Sequence, residues 1–232
     1  MIAIMLFYNS APFLSMTLNN INEHFDNVVM VDGPYIEYPH NSPHSDDGSI
    51  EMAKRILGDK LTLVQGQVWN RKDKHNAALD QVPDNEWWFI IDSDEMIFGD
   101  CRKHFEKLES QTKFVRANIP CTNFKLCGDL THINNELDFH RTNWEANFLY
   151  SGASRIFKKC KGMHYNDHRD TPMIYDVPVH RTYPAYLMDD CHLLNLKFNQ
   201  PYKSYLSDIA YRHNGLAKKK DTPLITKIKN MI

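Results

Sequence analysis

An α/β fold, with a mostly parallel sheet carrying helices on both faces and a mixed α+β C-terminal half, is predicted for the 232-residue chain from three observations. Short, nearly continuous apolar runs recur at 2–8, 28–31, 61–64 and 87–91, the pattern of strands buried on both faces. Segments with apolar residues at helical spacing lie between them, so strand and helix alternate with short connections. After Asp100 the alternation stops and longer stretches of period-two character take over, at 113–124 and 144–157. A composition of 42% hydrophobic, 24% charged and 12% aromatic residues supplies a core and excludes disorder for the bulk of the chain. With no internal repeat and no low-complexity tract, a single domain over 1–232 is expected, its parts being 1–100, 101–200 and a helical tail at 201–232.

Each element has its own warrant. The first run ends in Asn9-Ser10-Ala11-Pro12, where Ser10 suits the cap of a helix with Pro12 in its first turn. Phe13, Leu14, Leu18 and Ile21 then recur on one face. The second run closes with Asp32-Gly33-Pro34, and 35–48, with two prolines, two histidines and Asp46-Asp47, reads as a loop. Ser49 opens a helix with Ile50, Ala53 and Leu57 on one face, 61–64 is the third strand, and 72–82 a third helix. The fourth strand, 87–91, stops abruptly at Asp92-Ser93-Asp94-Glu95. Beyond it, 161–190 has little periodicity, 193–198 reads as a last strand, and 200–213 and 223–231 read as helices.

Charge narrows the function classes. Lys plus Arg number 27 against 29 Asp plus Glu, a formal charge of −2, which disfavours a dedicated polyanion binder; the run at Lys218, Lys219 and Lys220 is a small basic patch. The five cysteines form no Cys-x-x-Cys pair, as expected of reduced thiols, and Cys160, His164 and His168 do not have zinc spacing. No apolar run approaches the roughly 20 residues needed to span a bilayer. The opening MIAIMLFY has no basic leader, so a cytoplasmic protein is expected.

In parallel α/β sheets, ligands bind beyond the carboxyl ends of the strands, where Asp32 and the Asp92/Asp94 pair are placed. Two carboxylates at i and i+2 after a buried strand offer oxygen ligands to a hard cation such as Mn²⁺ or Mg²⁺, whose shell water and substrate phosphates complete. In sequence order, MLFYNSAPFL, a strand ending in VDG, the helix RKDKHNAAL and then IIDSDE resemble the nucleotide-sugar glycosyltransferases of the GT-A, Rossmann-like fold, close to the family 2 type. SGASRIF and CHLLNLKF resemble later elements of that pattern.

The resemblance implies a nucleotide-sugar-binding half at 1–100 and an acceptor-binding half at 101–200. It implies that Tyr8 and Asn9 lie beside the nucleotide base and that Asp32 accepts a hydrogen bond from it. Asn76, with Arg71 and Lys74 around it, lines the nucleotide site, the two cations assisting as phosphate ligands. Asp92 contacts ribose or a metal-bound water, Asp94 binds the metal, and His192 completes its shell. Within GMHYNDHRD, Asp167 is the first candidate for the base that deprotonates the acceptor hydroxyl, with His168, Asp170, Asp189 and Asp190 as rivals. The implied reaction moves a sugar from a UDP- or GDP-type donor to a hydroxyl of a glycan, a lipid-linked sugar or another acceptor, with Mn²⁺ or Mg²⁺ as cofactor. Other readings stay open: a phage-type enzyme acting on modified DNA bases, or a non-catalytic nucleotide- or glycan-binding module. A sugar-phosphate nucleotidyltransferase fits less well, because NSAPFL has neither the Gly nor the Lys of its phosphate loop.

Overall fold

The computed structural model describes residues 1–126, 144–147, 153–166, 171–188 and 191–195, all within one unit spanning Met1–Asn199. The helices expected at 200–213 and 223–231 and the basic run at Lys218, Lys219 and Lys220 lie outside them. The first half follows the expected order: β1 (Ile2–Phe7), α1 (Ala11–His24), β2 (Asn27–Asp32), α2 (Ser49–Leu57), β3 (Leu61–Val64), α3 (Arg71–Leu79) and β4 (Trp87–Ile90). These strands pair in parallel, β2 and β4 on either side of β1 and β3 outside β2.

The described residues after β4 extend this sheet and build a second. Their elements are β5 (Glu95–Gly99), α4 (Cys101–Glu109), β6 (Arg116–Ile119), β7 (Cys121–Leu126), β8 (Trp144–Asn147), β9 (Ala153–Lys158), β10 (Met163–His164), β11 (Met173–Ile174), β12 (Val177–Pro178), α5 (Val179–Thr182), β13 (Ala185–Leu187) and β14 (Cys191–Asn195). Among the described residues the main sheet has seven strands in the order β13-β6-β9-β4-β1-β2-β3, with β9 alone running against the others. This is the mostly parallel sheet expected. A second sheet has the order β5-β14-β7-β8, and β10-β11-β12 form a small meander.

The period-two geometry of the strands distributes the core. Ala3, Met5, Phe7, Val28, Met30, Trp87 and Phe89 point to one face, where Leu14, Leu18 and Ile21 of α1 and Ile50, Ala53 and Leu57 of α2 pack. Ile2, Ile4, Val29, Val31, Trp88 and Ile90 point to the other, against Ala78 and Leu79 of α3 and Tyr165. Burial on both faces is why these strands read as continuous apolar runs.

Several expectations are corrected. The stretch 113–124 is two strands in different sheets, divided at Pro120, which has no N–H to carry a ladder onward. The stretch 144–157 is likewise divided between β8 and β9. Among the described residues the last strand, β14, starts two residues earlier than expected. Both β5 and α4 were not anticipated. The buried stripe of α4 is Cys101, His104, Phe105 and Leu108, in which His104 is not an apolar signal. Ser10 stands at the start of α1 without making a side-chain cap. Asp47 does that work from the following loop, its Oδ2 accepting the Ala11 N–H at 2.9 Å, while Ser49 Oγ accepts the Ser10 N–H at 3.0 Å. Among the described residues, no helix is long and apolar enough to cross a membrane.

Candidate active site at the carboxyl ends of the central strands

The chain leaves β1 toward β2 and β3 on one side and returns through α3 to lay β4 on the other, so the strand order reverses at β1. The crevice beyond the carboxyl ends at such a reversal is where α/β sheets bind ligands, because the connections on its two sides diverge. Phe7 and Ile90 are followed there by Tyr8-Asn9 and by Ile91-Asp92-Ser93-Asp94. Asp32 ends the neighbouring strand β2. The fold therefore gathers the sequence-predicted residues from both ends of the first hundred positions.

On the β1–β2 side, a loop folds back over the strand ends. Asp32 is fully buried, and its carboxylate accepts the Ser45 hydroxyl at 2.6 Å and the Ser45 backbone N–H at 3.1 Å. His44 Nδ1 stands 3.7 Å from the same carboxylate. Asn9 holds a left-handed backbone, φ 47°, and its amide exchanges hydrogen bonds with Asp46: Nδ2 donates to Oδ1 at 3.0 Å and Oδ1 accepts the Asp46 N–H at 2.9 Å. The Tyr8 hydroxyl donates to the Ser42 carbonyl at 3.1 Å. Burial first, and then the Asp46 carboxylate, push the Tyr8 phenol above its ordinary value. Tyr8, Asn9 and Asp32 thus all engage one segment, 42–46.

On α3, the two cations are treated differently. Lys74 is 1% exposed; its ammonium donates to the Phe7 carbonyl at 2.8 Å and the Gly33 carbonyl at 2.5 Å, and lies 4.9 Å from the Tyr35 ring centroid. Burial pushes this ammonium down to about 7, with the Asp32 carboxylate opposing the shift. The expectation that Lys74 pairs with Arg71 on phosphate is corrected: Lys74 ties the ends of β1 and β2 from inside. Arg71, at the start of α3, sets its guanidinium 5.5 Å from the Tyr35 ring centroid. Asn76 faces another segment: its Nδ2 donates to the Tyr165 carbonyl at 3.1 Å and its Oδ1 accepts the Tyr165 N–H at 2.7 Å. The amide thus fixes the chain just before Asn166 and Asp167.

The Asp92–Glu95 turn carries the densest charge. The Glu95 N–H donates to the Asp92 carbonyl at 3.0 Å, and Glu95 Oε2 accepts the Asp92 N–H at 2.9 Å. Arg155, reaching across from β9, donates through one terminal nitrogen to Glu95 Oε1 at 2.8 Å and approaches Asp92 Oδ2 at 3.4 Å. Glu95 is fully buried; burial, and then the Asp92 carboxylate, hold its carboxyl well above the usual range in spite of Arg155. The Asp92 side chain is 38% exposed, while Asp94 is 3% exposed. Sequence reasoning named Asp92 and Asp94 but missed Glu95 and Arg155. Their signals, the final Glu of DSDE and the Arg of SGASRIF, acquire meaning only once β9 is laid beside β4.

Among the described residues, no group of three His, Cys, Asp or Glu side chains is arranged to hold a metal ion. Two carboxylates from one tight turn fit a different demand. Mg²⁺ and Mn²⁺ take hard oxygen donors, and Mg²⁺ in particular commonly uses one or two protein carboxylates, filling the shell with water and phosphate. Asp92 and Asp94 both push the Glu95 carboxyl upward, while Arg155 opposes them from β9. Asp167 and His168, with the rivals Asp170, Asp189 and Asp190, lie outside the described residues. The His192 backbone pairs with Phe98 between β14 and β5; its imidazole likewise lies outside them.

Neither a protein-family model nor a curated protein matches the sequence. Solved structures do. A crystal structure of Staphylococcus aureus TarS 1–349 aligns over 90% of this chain and 64% of its own, with a TM-score of 0.55 and 14% identity. Another TarS crystal structure aligns over 90% and 39%, at a TM-score of 0.54 and 14% identity. The mannosyltransferase PcManGT from Pyrobaculum calidifontis, in complex with GDP-Man and Mn²⁺, aligns over 98% and 68%, at a TM-score of 0.51 and 15% identity. The chain thus spans less than two thirds of the length of TarS. With the parallel sheet reversing at β1, the second sheet fed from the end of β4 and this structural likeness, the chain has the GT-A fold of these glycosyltransferases.

Proposed function

We propose that the chain is a metal-dependent glycosyltransferase that moves a sugar from a nucleoside-diphosphate sugar to an acceptor hydroxyl. The observation that carries this reading is the Asp92-Ser93-Asp94 turn, seated at the carboxyl end of β4 where the strand order reverses. The fold is that of PcManGT, a mannosyltransferase in complex with GDP-Man and Mn²⁺, which makes a nucleotide-sugar donor the natural occupant of the crevice. Asp94 and Asp92 would hold Mn²⁺ or Mg²⁺, with His192 completing the shell. A cation bound there supplies positive charge that offsets the negative charge developing on the departing nucleoside diphosphate.

The remaining roles fall to residues around the crevice. Tyr8 and Asn9 frame the base, and Asp32 accepts its hydrogen bond by exchanging Ser45 for the base edge. Arg71 is the cation left for phosphate once Lys74 is buried in the strand ends. Asp167, or His168 beside it, takes the proton from the acceptor hydroxyl, and Asn76 fixes the segment that leads to them through the Tyr165 backbone.

Thermal unfolding with UDP, GDP and their sugar conjugates, each with and without Mn²⁺, tests the reading. A ligand at about a hundred times its Kd stabilises the native state by about 2.7 kcal/mol. At roughly 2–4 °C per kcal/mol for a domain of this size, the midpoint should rise by roughly 5–10 °C. The expected outcome is a metal-dependent rise for one nucleotide class that Asp94→Ala abolishes. No rise with any nucleotide overturns the proposal and favours a structural or non-nucleotide role.

A further inference from the structure

The Asp92-Ser93-Asp94 turn is held from both sides by groups that do not belong to it. From α1, the Thr17 hydroxyl donates to the Ser93 carbonyl at 3.0 Å, and the Ser93 hydroxyl donates to Ser10 Oγ at 3.0 Å. From the sheet side, Glu95 accepts the Asp92 N–H at 2.9 Å while its own N–H donates to the Asp92 carbonyl at 3.0 Å, a reciprocal pair that closes the four-residue turn. Glu95 Oε1 in turn accepts Arg155 at 2.8 Å, and the same guanidinium lies 3.4 Å from Asp92 Oδ2. The backbone and carboxylate of Asp92 are therefore both referenced to the hydrogen-bonded Glu95–Arg155 pair, which joins β5 to β9.

We propose that Glu95 and Arg155 are positioning residues for the cation: they fix the turn so that the Asp92 and Asp94 carboxylates face one point, without themselves contacting the metal or the donor. The proposal rests on the reading of this turn as the cation and diphosphate site. Its logic is that of an outer shell: groups that orient carboxylate ligands typically carry ten- to a hundredfold in metal affinity.

Charge and position make opposite predictions at Arg155, so the role can be separated from simple electrostatics. As a point charge, a guanidinium next to Asp92 competes with the cation, and its removal would tighten metal binding. As a positioning group, its removal lets the Asp92 carboxylate and the Glu95 side chain turn away, and binding weakens. The experiment measures Mn²⁺ affinity in the presence of saturating UDP or GDP from the electron paramagnetic resonance signal of bound Mn²⁺, for the wild type, Arg155→Gln, Arg155→Lys and Glu95→Gln. Circular dichroism checks the fold of each.

The expected result is a weakening of about ten- to a hundredfold in Arg155→Gln and Glu95→Gln. Arg155→Lys should recover part of the loss, with unchanged affinity for nucleotide measured without metal in all three. Tighter or unchanged Mn²⁺ binding in a folded Arg155→Gln overturns the proposal. Should Glu95→Gln fail to fold, the Arg155 pair of variants decides alone. A wild type that binds Mn²⁺ with neither nucleotide overturns the donor-site reading itself, and that failure shows before any variant is made.

Discussion

At the residue scale, the same chemical type is used in opposite ways a few positions apart. Arg71 and Lys74 share one helix, yet Arg71 stays only partly buried beside Tyr35, whereas Lys74 is drawn inside to satisfy two carbonyls at the ends of β1 and β2. A buried ammonium has lost its hydration, and the two carbonyls and the Tyr35 face replace part of it. Because burial pushes Lys74 down to about 7 while a free lysine stays protonated to about 10.4, the unfolded chain binds more protons between those values. Folding stability should therefore rise with pH across this window. In Lys74→Met that part of the rise should vanish, which thermal unfolding of both proteins from pH 7 to pH 9.5 would read. Metal-dependent nucleotide binding should survive the substitution; its loss would return Lys74 to the phosphate.

At the scale of elements, the turn of interest depends on how α1 grips the strand that follows it. Asn20 on α1 donates through Nδ2 to the Ile97 carbonyl at 2.9 Å and accepts the Ile97 N–H at 2.7 Å, and Thr17 holds Ser93 one turn earlier. One helix thereby fixes both the Asp-x-Asp turn and the start of the second sheet. Replacing Asn20 by Ala leaves the N–H and C=O of the buried Ile97 in β5 without these partners and should cost about 1–3 kcal/mol. Urea unfolding would measure that loss. Mn²⁺-dependent nucleotide binding should weaken in the same variant, since β5 begins at Glu95.

At the scale of the whole molecule, the two larger sheets are not independent. The chain passes from β4 in the first to β5 in the second, from β6 to β7 in the same sense at Pro120, and β8 and β9 lie in different sheets. Cys101, Cys191 and Leu193 share one buried cluster with Phe89 and Leu14, so the second sheet and α4 pack into the core of the first. Partial unfolding of either sheet would expose that shared apolar surface. The unit Met1–Asn199 should accordingly unfold in one transition. Coincident curves from far-ultraviolet circular dichroism and from the fluorescence of the four tryptophans, Trp69, Trp87, Trp88 and Trp144, would bear this out, and separated midpoints would refute it.

What the sequence by itself determined is the parallel half and which carboxylates stand at its strand ends. Runs such as Val28-Val29-Met30-Val31 and Trp87-Trp88-Phe89-Ile90, short and closed by turn residues, fit strands covered on both faces, and the carboxylates that follow them stand at strand ends. Local rules reach that far because burial on two faces leaves its mark inside each segment. Only the tertiary structure decided the partners. Asp47 rather than Ser10 caps α1, Lys74 turns inward, Asn76 reads the Tyr165 backbone, and Arg155 meets Glu95 across 60 positions. These choices depend on which loop or strand arrives at a given edge, and hydrogen bonds between residues far apart in sequence leave no periodicity to read. Division of 113–124 between two sheets has the same cause: either half has strand character, and the packing around Pro120 assigns each to its neighbours.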